Sequence, residues 1–337
     1  MSATPDQILL GLDIGGTKVG LCVGTPGGVV IASDRVPVDH AQTPARMLET
    51  CAERLDALRE RVSPRAEILA LGAACPGPLD YKGGKFINPP NNPGWHGFAL
   101  RDWLAERFDV PSAMMNDANA AALAEKLWGA MALYTTGVFL TMSTGMGAGL
   151  IIDGGLYEGP LGLAGEIGRI RLSGSDDGPV GFGRRGSVEG YCSGPGMAQL
   201  AASEALACIH TNERSALVEP YRARGTITTQ ELCEAARAGD PAAKRVTDRV
   251  ARELGRIMAI MTDVLNAEVF VLGTIGQHYP DLFIPGALAM VRAEAIPAAA
   301  EIVKIVPSAL GDRGNQQALT VAWNALNPGW RSRMPLP

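Results

Sequence analysis

Two stretches of the same design constrain this chain more than any other feature. In the first, Asp13-Ile14-Gly15-Gly16-Thr17-Lys18 separates the apolar runs Ile8 to Leu12 and Val19 to Val23. Both runs are rich in branched residues, which predicts paired strands joined by a tight turn. In the second, Ser143-Thr144-Gly145-Met146-Gly147-Ala148-Gly149 joins strands predicted over Gly137 to Met142 and Leu150 to Ile152. Glycines bring backbone N–H groups close to an anion because no Cβ intervenes. Thr17 adds a hydroxyl and Lys18 a positive charge. Asp13 is a carboxylate beside such a turn, an arrangement that makes sense when a hydrated cation such as Mg²⁺ intervenes. One hairpin of this kind is ordinary; two in one chain point to two halves that each hold phosphate oxygens.

The spacing elsewhere predicts an α/β chain. Val29 to Ser33 reads as a third strand. Thr43-Pro44 reads as a helix cap with a first-turn proline, ahead of Met47, Leu48, Cys51, Leu55, Leu58 and Val62 on one helical face. Ile68 to Ala73 is a strand, Leu100 to Phe108 a helix and Ser112 to Met115 a strand. Further on, Thr228-x-x-Glu231 reads as a capping box. Asp240-Pro241 opens a long helix with Val246, Val250, Leu254, Ile257, Met261 and Val264 on one face, ended by Asn266. Val269 to Leu272 and Ile302 to Val306 read as strands, and Ala287 to Ala295 and Asn315 to Leu326 as helices.

Two stretches carry polar chemistry. Asn116-Asp117-Ala118-Asn119-Ala120-Ala121 opens an alanine-rich helix that runs to about Trp128. Asp117 there reads either as a cap and dipole partner or as a carboxylate that accepts a proton from a substrate hydroxyl. Phe86 to Trp95, with Asn91 and Asn92 beside the aromatic residues, reads either as a proline-rich surface connection or as a loop for a polyhydroxylated ligand. His40, His96, His210 and His278 are isolated and read as structural or solvated.

Composition excludes several classes. With 337 residues, 47 % of them hydrophobic and 19 % charged, the chain can build two cores. A net charge of −5 argues against nucleic-acid or acidic-membrane partners. No apolar run reaches the roughly 20 residues of a spanning helix, and Met1 to Gln7 shows no leader pattern. The six cysteines are scattered without a CxxC pair, which fits reduced thiols and a cytoplasmic location.

Asp13 to Lys18, Asn116 to Ala121, Ser143 to Gly149, Gly165-Glu166-Ile167-Gly168 and Val188-Glu189-Gly190-Tyr191 together resemble the ROK family of repressors and sugar kinases, in the family's order and over essentially the whole chain. The resemblance implies a two-domain actin-like ATPase fold of ribonuclease-H-like topology with an interdomain cleft. The expected domains are 1–117 plus 308–337 and 118–307. It also implies Mg-ATP as phosphoryl donor, a hexose or N-acylated hexosamine as acceptor, closure of the domains on the sugar, and a homodimer. Residue by residue, Asp13 resembles the metal-positioning carboxylate, and Gly15, Gly16, Thr17 and Lys18 the first phosphate turn. Thr144, Gly145 and Gly147 resemble the second phosphate turn, and Gly273 the approach to adenosine. Asp117 resembles the catalytic base. Asn91, Asn116, Glu166 and Glu189 resemble sugar-binding residues.

The departures concern a zinc site. Kinases of the family carry a His three residues after the Glu of Gly-Glu, then Cys-x-Cys-Gly-x-x-Gly-Cys-x-Glu. Here those positions hold Arg169, Val180, Phe182 and Ser187, which are not zinc ligands, so no zinc is expected. Val180 and Phe182 are expected to plug the loop. Arg169, Arg171, Arg184 and Arg185 either pair with acids such as Asp176 and Asp177 or simply solvate it. Arg169 stands where it can brace Glu166 or Glu189, or touch the ligand itself. Thr274 replaces a residue that is often Gly in the family. Repressors of the family need an N-terminal helix-turn-helix, and only twelve residues precede Asp13, so a kinase is expected over a DNA-binding regulator or a non-catalytic sugar sensor. Glucose is the default sugar, with N-acetylhexosamines, fructose and rarer sugars open.

Overall fold

A computed structural model describes residues 5–89, 92–172 and 178–330. The chain opens with β1 (Gln7–Ile14), β2 (Lys18–Gly24), β3 (Val30–Pro37), α1 (Pro44–Val62), β4 (Glu67–Cys75), β5 (Leu79–Asp80) and β6 (Lys85–Phe86). Next come α2 (Leu100–Phe108), β7 (Ser112–Asn116), α3 (Asp117–Trp128), β8 (Gly137–Met142), β9 (Met146–Ile152) and β10 (Gly155–Tyr157). A small hairpin of β11 (Val180–Gly181) and β12 (Arg184–Arg185) precedes α4 (Val188–Cys192), α5 (Gly194–Thr211), α6 (Val218–Arg224), α7 (Thr229–Arg237) and α8 (Pro241–Leu265). The last elements are β13 (Val269–Leu272), α9 (Thr274–His278), α10 (Pro280–Glu294), α11 (Pro297–Ile302), β14 (Lys304–Pro307) and α12 (Arg313–Leu326).

The chain divides into two compact units. The first takes residues up to Leu133, the segment Asp153–Ala164 and everything from Ala309 onward; the second takes Tyr134–Ile152 and Gly165–Ser308. This differs from a boundary after Asp117. The small side chains of α3 let it pack closely, so Ala120 and Leu123 join Ala74, Met115 and Val321 in one cluster of the first unit, with Leu156 against it.

In the first unit the strand order is β3-β2-β1-β4-β7. β1, β2 and β3 form an antiparallel meander, while β4 and β7 add parallel to β1. Successive strand residues face opposite sides of a sheet. Ile8, Leu10, Leu12 and Ile14 therefore meet Met47, Leu48, Cys51, Leu55 and Leu58 of α1, whereas Leu9 meets Ala318, Leu319 and Ala322 of α12. Gly11 and Gly72 permit that second contact, because a Cβ at either would run into α12. Thr43 caps α1 through its hydroxyl, and Pro44 occupies the first turn.

In the second unit the order is β9-β8-β13-β14, with β8 and β9 antiparallel and β8, β13 and β14 parallel. Antiparallel strands followed by parallel ones thus recur in both units, and the chain has the two-domain actin-like ATPase fold. α8 buries Val246, Val250, Leu254, Ile257 and Met261 but not Val264, which is 74 % exposed. α10 begins at Pro280 rather than near Ala287 and holds Pro285 inside it. Its close crossing with α8 uses Gly255 and Gly286, where added Cβ atoms would meet Met290 and Ala251. β9 starts at Met146 rather than Leu150, since Gly147 and Gly149 pair with Thr141 and Phe139. The turn expected over Ser143 to Gly149 is therefore shorter, and Gly147 lies inside a strand.

All six cysteines are free and buried. Among the described residues no helix is long and apolar enough to cross a membrane.

Candidate functional site

Each unit carries part of the expected chemistry. In the first, β1, β4 and β7 are parallel neighbours, so their C-terminal ends share one edge of the sheet. Asp13 pairs with Ala74, and Cys75 pairs with Asn116. Neighbouring strands lie about 4.8 Å apart, so the backbone of Asp13 and that of Asn116 are separated by about 10 Å. The Asp13 to Lys18 turn and the Asn116-Asp117 junction are thereby brought to one edge.

Asp13 follows Gly11 on the α12 face of β1 and sits in a cradle of glycines. A Cβ at Gly314 would lie 2.5 Å from Asp13 Oδ2, and one at Gly20 would lie 3.3 Å from Asp13 Cβ. The Asp13 carboxyl is raised from its ordinary value, chiefly because it is removed from water. Lys18 and Arg313 oppose that rise, and Asp312 adds to it. The half-buried Arg313 guanidinium is lowered by the same desolvation and is in turn held up by Glu125 and Asp13. Asp312, Arg313 and Gly314 were not legible as site residues. Their signal is the pair of glycines bracketing an acid-base dipeptide in Gly311-Asp312-Arg313-Gly314, at the start of a helix. This donor set fits a hydrated Mg²⁺: one enclosed carboxylate, a small cradle and adjacent backbone amides of the glycine turn.

In the turn itself, Gly15 N–H donates to Lys18 O at 3.0 Å. That closes the hairpin and leaves the Gly16 and Thr17 amides and the Thr17 hydroxyl as the groups to approach a phosphate. Asn92 is buried and donates from Nδ2 to Gly15 O at 3.4 Å, tying the 86–95 loop to the turn. Asn91 lies outside the described residues. Trp95 is no platform for a sugar: it is 3 % exposed and packs edge-on against Phe86 at 5.3 Å.

Both readings of the Asn116-Asp117 junction meet here. Asn116 Oδ1 caps α3 by accepting from Ala118 N at 3.0 Å and Asn119 N at 3.4 Å. Asp117 Oδ1 accepts from Ala118 N at 2.8 Å. The capping anchors both side chains at the helix N-terminus, and an anchored carboxylate there is well placed for proton transfer. Tyr81, which sequence reasoning did not single out, accepts from Asn119 Nδ2 at 3.4 Å, and burial raises its phenol far above the usual range.

In the second unit the turn from Ser143 to Gly145 connects two features. On one side a cavity of about 450 Å³ is lined by Ser143, Thr144, Pro195, Ile227, Thr274 and Ile275, among others. Apolar surfaces suited to a base and hydroxyls suited to phosphates or ribose meet there. The N-terminal ends of α5 and α7 border it, and their dipoles favour an anion. Gly273 ends β13 and donates to Leu140 O at 2.9 Å, which sets Thr274 at the cavity wall. Thr274 has φ +41°, a conformation that suits glycine and strains a β-branched residue.

On the other side stands Glu189. A Cβ at Gly145 would lie 3.0 Å from Glu189 Oε2, so only glycine lets the turn press this close. Glu189 Oε2 accepts from Met146 N at 3.2 Å and Oε1 from Phe182 N at 2.9 Å, which fixes the carboxylate plane. The Glu166 carboxyl is raised above its ordinary value by desolvation; Arg169 counters this and Glu189 adds to it. Arg169, Glu166 and Glu189 thus form one electrostatic group.

The zinc positions hold a different construction. Arg169 lies over the Phe182 ring, 5.4 Å from its centroid. Ser187 Oγ donates to Gly181 O at 3.0 Å and accepts from Gly190 N at 3.1 Å. Arg169, Val180, Phe182 and Ser187 offer neither thiolate nor imidazole, so they do not fit zinc. Among the described residues no group of three or more His, Cys, Asp or Glu side chains is arranged to hold a metal ion. The expected apolar plug is corrected: Val180 and Phe182 are 37 % and 48 % exposed. Hydrogen bonds hold the hairpin instead. The expected acid partners Asp176 and Asp177 lie outside the described residues.

Comparison with known proteins gives the context. The ROK family model matches residues 9–317. A glucokinase of Halalkalibacterium halodurans is 29 % identical over 91 % of this chain and 92 % of its own length. An N-acetylmannosamine kinase of Escherichia coli is 34 % identical over 78 % and 81 %. A xylose repressor of Caldicellulosiruptor bescii is 25 % identical over 90 % and 75 %. Among solved structures, a ROK hexokinase from Thermus thermophilus superposes with a TM-score of 0.75 at 29 % identity, covering 96 % of this chain and 100 % of that one. A ROK glucokinase from Streptomyces griseus in complex with glucose and AMPPNP gives a TM-score of 0.72 at 26 % identity over 94 % and 98 %. With the family model matching residues 9–317, and sugar kinases and a sugar-named repressor both among its relatives, this chain belongs to the ROK family.

Proposed function

We propose that this protein is an ATP-dependent sugar kinase with glucose as its default acceptor. The observation that carries the reading is the shared sheet edge of the first unit, where the Asp13 turn and the Asn116-Asp117 junction end the parallel strands β1 and β7 on either side of β4. Asp117 accepts the proton of a sugar hydroxyl, whose oxygen attacks the γ-phosphorus in line. Asn91 and the Asn116 side-chain amide, with Glu166 and Glu189, bind the other hydroxyls. The Gly16 and Thr17 amides, Lys18, Thr144 and Gly145 surround the phosphates, and the 450 Å³ cavity takes the nucleoside. Asp13 holds Mg²⁺ through water; the ion when bound neutralises phosphate charge. Arg169 braces Glu166 and stacks on Phe182 rather than serving as a ligand for an acidic sugar. Most of the rate gain then comes from positioning and electrostatics. A homodimer and a cytoplasmic setting belong to the same proposal.

The glucose-bound and AMPPNP-bound relative supports the choice of ligands. The xylose repressor among the relatives favours a second reading, a sugar sensor without turnover. ADP release from Mg-ATP across a panel of hexoses, N-acetylhexosamines, ketoses and sugar acids separates them. Turnover of a neutral hexose supports the kinase. Sugar binding with no ADP release on any member refutes it in favour of the sensor, and preference for a sugar acid refutes the bracing role of Arg169.

A further inference from the structure

The hairpin of β11 and β12 has two residues in each strand, too few to hold itself in place. Its anchors come from outside. Gln199 on α5 accepts from Val180 N at 3.0 Å and donates to Val180 O at 2.9 Å, so one side-chain amide pairs with a backbone residue as a neighbouring strand would. At the other end Ser187 Oγ holds Gly181 O while capping α4 through Gly190 N. Between these anchors the turn residues Phe182 and Gly183 both have positive φ, +51° and +68°. That is the two-residue turn which matches hairpin twist, and it sends the Phe182 N–H to Glu189 Oε1 at 2.9 Å. The hairpin also lies flat on α4, since a Cβ at Gly181 or Gly190 would strike the facing backbone.

We propose that Gln199 and Ser187 are positioning residues that lock this hairpin onto α4, so that the Phe182 amide keeps the Glu189 carboxylate oriented for sugar. The inference rests on the reading of Glu189 as a sugar-binding residue. It assigns the specificity of the effect: Gln199 touches neither the sugar nor the nucleotide, yet its loss weakens only the sugar.

The test compares full-length wild type with Gln199→Ala and Ser187→Ala. Glucose and N-acetylmannosamine binding are measured by calorimetry, Mg-ATP binding likewise, and amide exchange over residues 178–187 by mass spectrometry. Gln199→Ala is expected to raise exchange over that hairpin and to weaken sugar binding about tenfold, the effect of losing one to two net hydrogen bonds. Mg-ATP affinity stays within about twofold. Ser187→Ala repeats this unless the lost cap unfolds α4, in which case Gln199→Ala alone decides. Looser exchange with unchanged sugar affinity overturns the proposal, as does parallel loss of sugar and nucleotide binding. A wild type that binds neither sugar refutes the reading of Glu189 itself, an outcome distinct from either of these.

Discussion

Gly314→Ala tests the cradle around Asp13. The added Cβ would stand 2.5 Å from Asp13 Oδ2, whereas an ordinary contact begins near 3.4 Å, so about 0.9 Å must be found. The neighbour is a short, enclosed side chain with Gly20 packed behind its Cβ, and it has few rotamers to escape into. If the carboxylate yields the distance, it leaves the place from which, in the proposed function, it positions Mg²⁺. A misplacement of about 1 Å near the reacting centre costs on the order of 100-fold in rate. Stability falls little, because Gly314 lies in the first turn of α12 and alanine gains up to about 1 kcal/mol of helix propensity there, which offsets part of the roughly 1–3 kcal/mol that overpacking costs. Gly311→Ala is the control: nothing lies within 4 Å of its Cβ position. Coupled-assay kcat on the panel sugar of choice, with calorimetric midpoints for each variant, reads both effects. A Gly314→Ala kcat within twofold of wild type at an unchanged midpoint refutes the claim that Asp13 must sit where it does. Equal losses in both variants refute the steric argument.

Two further predictions concern the second unit. Glu231 is held to about 2 by hydrogen bonds from Thr228 and Arg224 in the capping box of α7. Its folded value lies below its unfolded one, so its contribution to stability is present above about pH 4.5 and fades as pH falls toward 2. The difference in thermal midpoint between wild type and Glu231→Gln should be steady above pH 5 and close on acidification; a gap that ignores pH contradicts this. Thr274→Gly relieves a β-branched residue at φ +41°, worth about 1–2 kcal/mol against about 0.5–1 kcal/mol of added chain entropy. Urea unfolding should therefore show the variant as stable as wild type or slightly more so, and a loss beyond 1 kcal/mol, on the order of an ordinary helix Gly penalty, refutes the strain.

What was legible in the sequence was local. Thr43-Pro44, Thr228-x-x-Glu231, Asp240-Pro241 and Asn266 mark helix ends because caps are decided by one or two side chains, and all four act as read. The strand-end positions of Asp13 and Asn116-Asp117 were visible because they follow from strand prediction. Features that depend on distant partners were hidden. Trp95 reads as a surface aromatic until Phe86 and Phe98 close around it. The place of α3 in the first unit depends on Val321, two hundred residues away. Gly314 has meaning only once α12 lies on β1. The β11-β12 hairpin was half legible: its sequence lacks the cysteines of the family pattern, but Gln199 carries no local mark, since a glutamine on a helix is ordinary.

The most direct test of the account is sugar phosphorylation from Mg-ATP by wild type and Asp117→Asn, with sugar affinity measured on both by calorimetry. The substitution keeps the shape and the oxygen that accepts from Ala118 N, and removes the ability to take a proton. The account predicts a kcat loss on the order of 100-fold or more with sugar binding retained within a few-fold. A variant that turns over like wild type, or a wild type that binds sugar and never releases ADP, contradicts it.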